Sequence, residues 1–185
     1  KPGISRTSGV FLMSRENTHE RYIFADCAIN IDPSAKELAE IAVNTAETAR
    51  IFEFDPKVAM LSFSTMGSAS APQVEKVQEA TKLAKEMAPD LALDGEMQFD
   101  AAFDEITAKI KAPFSPVSGQ ANIFIFPDLQ SGNIGYKIAQ RLGMFDAIGP
   151  VLQGLNKPVN DLSRGCSADD VYKLAIITAA QAVQE

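Results

Sequence analysis

Apolar and polar positions change period along this chain, and the changes mark its elements. Ser8 to Ser14 and Tyr22 to Ile29 are apolar runs rich in β-forming residues, separated by the polar stretch Arg15 to Arg21. They predict two strands joined by a loop and paired antiparallel. Asp32-Pro33 predicts a helix start, with Asp at the N-cap and Pro in the first turn. Leu38, Ile41, Ala42, Thr45, Ala49 and Phe52 then follow helical spacing. Asp55-Pro56 breaks that period, and Val58 to Phe63 reads as a short buried strand. The small residues from Ser64 to Pro72 predict a loop. A helix over Val74 to Met87 and a strand over Leu91 to Asp94 follow. Phe99 to Ile110 predicts one helix, and Ala112 to Gly119 a loop. Ala121 to Phe126 is the clearest buried strand, ended by Pro127. A helix over Ser131 to Leu142 closes at Gly143. Phe145 to Leu152 and Pro158 to Leu162 predict strands, and Ala168 to Val183 the last helix. Strands alternating with helices after residue 55 imply βα units around a mostly parallel sheet.

Composition narrows the class. Among 185 residues, 46% are hydrophobic and 22% charged, an ordinary globular balance. The formal net charge of −7 disfavours nonspecific nucleic-acid binding, so any bound polyanion needs local positive groups. Cys27 and Cys166 lie far apart and suggest no disulfide framework, which makes a reducing cytoplasm the expected compartment. The single histidine, His19, sits in a polar stretch and reads as a surface residue. Without a second histidine or clustered cysteines, no metal site is expected. No apolar run approaches the ~20 residues of a membrane span.

The densest chemistry lies in Lys157-Pro158-Val159-Asn160-Asp161-Leu162-Ser163-Arg164-Gly165-Cys166-Ser167-Ala168-Asp169-Asp170. Ser167 reads as the N-cap of the last helix, so Arg164 and Gly165 sit in the loop feeding a helix N-terminus. Free N–H groups and the helix dipole favour an anion there, and a guanidinium grips phosphate or carboxylate with two hydrogen bonds. Each residue has a plainer reading. Ser167 to Asp170 fits a capping box with aspartate in place of glutamate. Ser163 can be a turn residue and Cys166 a small apolar group. Cys166 as a nucleophile lacks a base, since no histidine accompanies it. Asp128, Asn133 and Tyr136 follow the exit of a strand, where α/β sheets place ligands, although a cap and first-turn polar residues fit that position as well. Ser62, Ser64 and Thr65 also follow a strand and offer hydroxyls to a phosphate, but the loop matches no phosphate-loop pattern.

Taken together, several segments resemble the phosphate acetyltransferases. Besides Asn160 to Gly165 they are Phe24-Ala25-Asp26-Cys27-Ala28-Ile29, Met60-Leu61-Ser62-Phe63-Ser64-Thr65, Asp94-Gly95-Glu96-Met97-Gln98-Phe99-Asp100-Ala101-Ala102, Phe126-Pro127-Asp128-Leu129-Gln130-Ser131-Gly132-Asn133-Ile134-Gly135-Tyr136-Lys137 and Ala147-Ile148-Gly149-Pro150. The resemblance implies a three-layer αβα fold with a mostly parallel mixed sheet, of the isocitrate/isopropylmalate dehydrogenase type. It further implies that residues 1–152 form the second α/β domain. Residues 153–185 would then be a C-terminal strand-helix piece returning to a first domain that this chain lacks.

The implied reaction is reversible acetyl transfer between coenzyme A and inorganic phosphate, a step of acetate metabolism, by direct attack of the CoA thiol within a ternary complex. No permanently bound cofactor is expected. Coenzyme A or acetyl-CoA, acetyl phosphate and phosphate enter as substrates. The motif match carries a base onto Asp170, a transition-state hydroxyl onto Ser163 and an acyl-phosphate-binding arginine onto Arg164. Asn133, Tyr136, Asp128, Ser64 and Thr65 are expected to bind substrate, and no metal is expected. A homodimer is also expected, with the apolar face of the Ala-rich helix from Ala35 to Phe52, or a strand edge near it, as the contact. The alternatives are a phosphate butyryltransferase-type enzyme and a non-catalytic regulatory or dimerisation domain of the same fold.

Overall fold

The computed structural model describes residues 4–15, 18–162 and 164–183. Six strands, β1 (Ser8–Ser14), β2 (Arg21–Ala25), β3 (Lys57–Leu61), β4 (Ala92–Met97), β5 (Ile123–Ile125) and β6 (Asp146–Gln153), form one sheet in the order β4-β3-β5-β2-β1-β6. The strands from β4 to β2 pair in parallel. β1 turns back antiparallel on β2, as the apolar pattern predicts, and β6 runs antiparallel beside β1. Among the described residues there are six helices: α1 (Ala35–Ile51), α2 (Pro72–Met87), α3 (Phe99–Phe103), α4 (Glu105–Lys111), α5 (Leu129–Arg141) and α6 (Ala168–Val183).

Period-two alternation divides the strand residues between two cores. Val10, Ile23, Ala25, Val58, Met60, Ile123, Ile125 and Val151 face α1, α2 and α6. Phe11, Met13, Phe24, Ala59, Leu61 and Phe124 face the other way, where Ala102 of α3 and Tyr136 and Ala139 of α5 cover them. This is the expected three-layer αβα arrangement with a mostly parallel mixed sheet. Leu38, Ala39, Ile41, Ala42, Ala46 and Ala49 of α1 are buried in the first core. The apolar face of α1 is therefore not free to meet a second copy.

Four local expectations change. Helix α1 is capped by Ser34 rather than Asp32: the Ser34 hydroxyl accepts from Glu37 N at 3.4 Å, and the Glu37 carboxylate accepts from Ser34 N at 2.8 Å. Asp32 instead pairs with Lys76 at 2.7 Å. The single helix expected over Phe99 to Ile110 is two, because the Asp104 carboxylate accepts the Thr107 N–H at 2.7 Å and starts a new helix. Strand β2 stops at Ala25, where the buried Asp26 carboxylate takes the N–H groups of Ala28, Ile29 and Asn30 at 2.8, 3.1 and 3.0 Å. Finally, Pro158 to Leu162 is not a strand. The outer edge of β6 meets side chains there: Asn160 accepts the Leu152 N–H, and Gln181 donates to the Leu152 carbonyl.

Candidate functional site

A groove of about 440 Å³ opens between α5, the Asp26–Ala28 turn, the β1/β6 edge and the start of α6. That is within the range of small-molecule sites. Three local features build it. The β1/β6 register shifts between Val10 and Leu12, so Phe11 stands opposite both Gly149 and Pro150. Pro150 has no N–H to donate, and a bulge on an edge strand tolerates that. Gly132 lets α5 lie on the Asp26 turn, since a Cβ there would come within 2.5 Å of the Asp26 carbonyl. Asn133 fastens the same contact by donating from Nδ2 to the Cys27 carbonyl at 3.2 Å.

One wall is the face of α5 formed by Asn133, Tyr136, Lys137, Gln140 and Arg141. Their spacing is three, four, seven and eight residues from Asn133, which places them on one side of a helix. Tyr136 stacks on Phe11 with ring centroids 4.1 Å apart, and the Lys137 ammonium lies 5.7 Å from the Tyr136 ring. Burial, with a smaller contribution from Cys27, raises the Tyr136 hydroxyl above its usual range, so it is neutral at pH 7. At the floor, burial and then the neighbouring Asp26 push the Cys27 thiol well up. Cys27 is therefore a thiol and not a nucleophilic thiolate.

The opposite wall is the motif loop. Asp161, Leu162, Gly165, Cys166 and Asp170 line the groove. Asp170 closes the capping box of α6: its carboxylate accepts from Ser167 N and Ser167 Oγ at 2.8 Å each, and the Ser167 hydroxyl accepts from Asp170 N at 3.2 Å. Those hydrogen bonds, backbone first, hold the Asp170 carboxyl below its ordinary range. Cys166 is exposed, and Arg164 is exposed beside Gly165. Ser163 lies outside the described residues.

The fold thus brings Asn133, Tyr136 and Asp170 to one groove. Asp128, Ser64, Thr65 and Arg164 are not among its lining residues. Asp128 is the N-cap of α5 and accepts from Ser131 N at 2.8 Å. Ser64 and Thr65 are buried. Ser64 donates to Glu96 Oε1 at 2.8 Å, Gly67 N donates to the same oxygen at 2.7 Å, and Thr65 Oγ1 accepts from Gln98 N at 2.9 Å. The Ser64 hydroxyl holds the buried Glu96 carboxylate, and the Thr65 hydroxyl is engaged with Gln98. Sequence reasoning passed over Phe11, Lys137, Gln140, Arg141, Gly149 and Pro150 in this groove. The polar stripe on α5 was a usable signal, whereas Phe11 and Pro150 look like ordinary strand residues. Among the described residues, no cluster of three or more His, Cys, Asp or Glu side chains could hold a metal ion, and no helix is long and apolar enough to cross a membrane.

Residues 1–179 match the family described as phosphate acetyl/butaryl transferase. A phosphate acetyltransferase of Bacillus subtilis (strain 168) is 63% identical over 183 residues, covering 99% of this chain and 56% of that protein. The crystal structure of a phosphotransacetylase from Streptococcus pyogenes is 80% identical, with a TM-score of 0.97, over 100% of this chain and 56% of that one. A branched-chain phosphotransacylase from Enterococcus faecalis V583 is 25% identical, with a TM-score of 0.76, over 95% of this chain and 64% of that one. The chain thus spans little more than half the length of the Bacillus subtilis and Streptococcus pyogenes relatives.

Proposed function

Because the chain belongs to the phosphate acetyl/butaryl transferase family, we propose that it forms part of an enzyme transferring an acetyl group reversibly between coenzyme A and inorganic phosphate. The observation that carries this reading is the groove itself, which sets the motif loop and the capped end of α6 against a polar face of α5 bearing Lys137 and Arg141. Positive groups on an acidic chain answer the need to hold anionic substrates locally.

In the acyl-phosphate-consuming direction, the CoA sulfur attacks the acetyl carbonyl carbon. The bond to the bridging phosphate oxygen breaks, phosphate leaves, and the thiol proton passes to Asp170. A free carboxylate near pKa 3.9 and a thiol near 8.5 differ by roughly 6 kcal/mol in proton affinity. The Ser167 hydrogen bonds lower Asp170 further and widen that gap. The route therefore requires Arg164 and the α6 N-terminus to stabilise the thiolate as Asp170 accepts its proton. Arg164 grips the acyl phosphate, and Ser163 steadies the oxyanion. Asn133 and Tyr136 orient the substrate from the α5 wall, and no permanently bound cofactor takes part.

Within residues 153–185, Asn160 and α6 lie against β6 of this domain, and in chains of the relatives' length the outer face of α6 meets a partner domain. The exposed Val171, Tyr172 and Ile176 on α6 support this. The protein acts in the cytoplasm as a homodimer. Exposed Ile134 and Ile138 on α5, with Leu142 at its C-cap and Met144 just beyond, supply an apolar stripe for a second copy. Cys166 provides the test of the site. In the full-length chain its alkylation is expected to slow several-fold when CoA saturates the protein. Alkylation unchanged by CoA, acetyl phosphate or both would place the substrates elsewhere.

A further inference from the structure

Asn160 stands between the sheet and the motif loop, and its amide is fully used. Its Oδ1 accepts the Leu152 N–H at 2.7 Å on the outer edge of β6. Its Nδ2 donates to Thr178 Oγ1 and Gln181 Oε1, both at 2.8 Å, on α6. The partners fix the proton directions. The Thr178 hydroxyl donates to the Leu174 carbonyl at 2.7 Å, so it accepts from Asn160. Gln181 Nε2 donates to the Leu152 carbonyl at 3.3 Å, so its oxygen faces Asn160. An aspartate at this position would lack both donors, and a glutamine would be one methylene too long. Asn156, Lys157 and Val159, just before it, are exposed. Asp161 and Leu162, just after it, line the groove.

We infer that Asn160 is a positioning residue: it anchors the chain beside Asp161 and Leu162 onto β6 and α6, so that this wall of the groove keeps its distance from the α5 wall. The Asn160 and Gln181 side chains replace the strand pairing that the sequence pattern suggests for this segment. The effect on turnover rests on the acyl-transfer reading, whereas the effect on loop order does not. A small displacement of a wall that carries reacting groups has a large kinetic cost, since about 1 Å of misplacement can lower rates 10²-fold.

The experiment compares Asn160→Ala, Gln181→Ala and the double variant in the full-length chain. Turnover per folded molecule with acetyl phosphate and CoA, KM for both substrates and the iodoacetamide alkylation rate of Cys166 are measured. Asn160→Ala is expected to lower kcat roughly 10–100-fold, with KM changed by less than about threefold and Cys166 alkylated faster. The double variant should be little worse than Asn160→Ala, because both changes break one ring of hydrogen bonds. A purely structural role would lower melting temperature while leaving kcat and labelling per folded molecule unchanged, and that result overturns the inference. Fully additive losses overturn it too. If Asn160→Ala does not fold, Thr178→Val and Gln181→Ala each remove one partner, and wild-type kcat with wild-type labelling in both contradicts it. If the unmodified chain transfers no acetyl group, the proposed function fails on its own. Labelling then decides the positioning claim: acceleration in Asn160→Ala supports it, and no change refutes it.

Discussion

Asp170 joins an observed fold requirement and a proposed reaction requirement on one carboxylate. The cap is visible in its hydrogen bonds with Ser167; the proton-accepting role is proposed, and the two predict different losses. Loss of a cap costs about 0.5–2 kcal/mol of stability and leaves chemistry alone, whereas loss of a general base lowers turnover about 10²–10⁴-fold. Asp170→Asn is therefore expected to retain CoA affinity, melt within a few degrees of wild type and turn over at least ~10²-fold more slowly. Normal turnover per folded molecule would leave only the cap. Glu96 makes a second residue-level case. Burial raises its carboxyl, but hydrogen bonds from the Gly67 N–H, the Ser64 hydroxyl and other neighbours outweigh burial and leave it lowered. A lowered carboxyl contributes stability above its unfolded pKa of about 4.3, and the contribution disappears as pH falls through the lower folded value. Glu96→Gln should thus cost about 1.5–3 kcal/mol at pH 7. Melting curves of the two proteins should draw together as pH falls below about 4; a gap independent of pH would contradict the ionised role.

At the scale of elements, α5 carries one wall of the groove and its placement depends on Gly132. A methyl there would meet the Asp26 carbonyl at 2.5 Å and the Cys27 sulfur at 3.1 Å. Backbone cannot yield as a side-chain end can, so Gly132→Ala is expected to cost about 1–3 kcal/mol. It should also speed hydrogen exchange at Ala28 and Ile29, whose amides the Asp26 turn holds; unchanged stability would mean that α5 docks loosely. The outer side of the same helix yields a separate expectation. Ile138→Glu places a charge in the proposed dimer stripe, and sedimentation at micromolar concentration should shift from dimer to monomer. A dimer that persists would put the contact elsewhere.

Much of the element pattern was legible because it depends on local physics. Short apolar runs rich in β-forming residues gave β1, β3 and β5, and helical spacing gave α1, α2 and α6. The misses share a cause. Asp32 and Ser34 are both good caps, and the choice rests on Glu37 closing the box at Ser34. Asp104 looks like one more polar face residue until its carboxylate starts α4.

Across the whole molecule, the sheet order and the site depend on contacts far apart in sequence, which residue types alone do not announce. Val159 and Leu162 look like strand residues, yet the β6 edge is met by the Asn160 and Gln181 side chains. Ser64 and Thr65 look like phosphate ligands, yet Glu96 and Gln98, some thirty positions later, engage them. By contrast, the motif loop was legible as a chemical unit, because its hydroxyl, guanidinium, thiol and carboxylates are contiguous. Only folding shows that Phe11, Tyr136 and Pro150 face it. The central claim is acyl transfer at this groove, and the most direct measurement is phosphate-dependent release of free thiol from acetyl-CoA by the full-length chain. The account predicts saturable release that requires phosphate, yields acetyl phosphate in equal amount and is faster with acetyl-CoA than with butyryl-CoA. Faster release from butyryl-CoA would move the assignment to the longer-chain branch of the family. No phosphate-dependent release from either thioester would contradict the account.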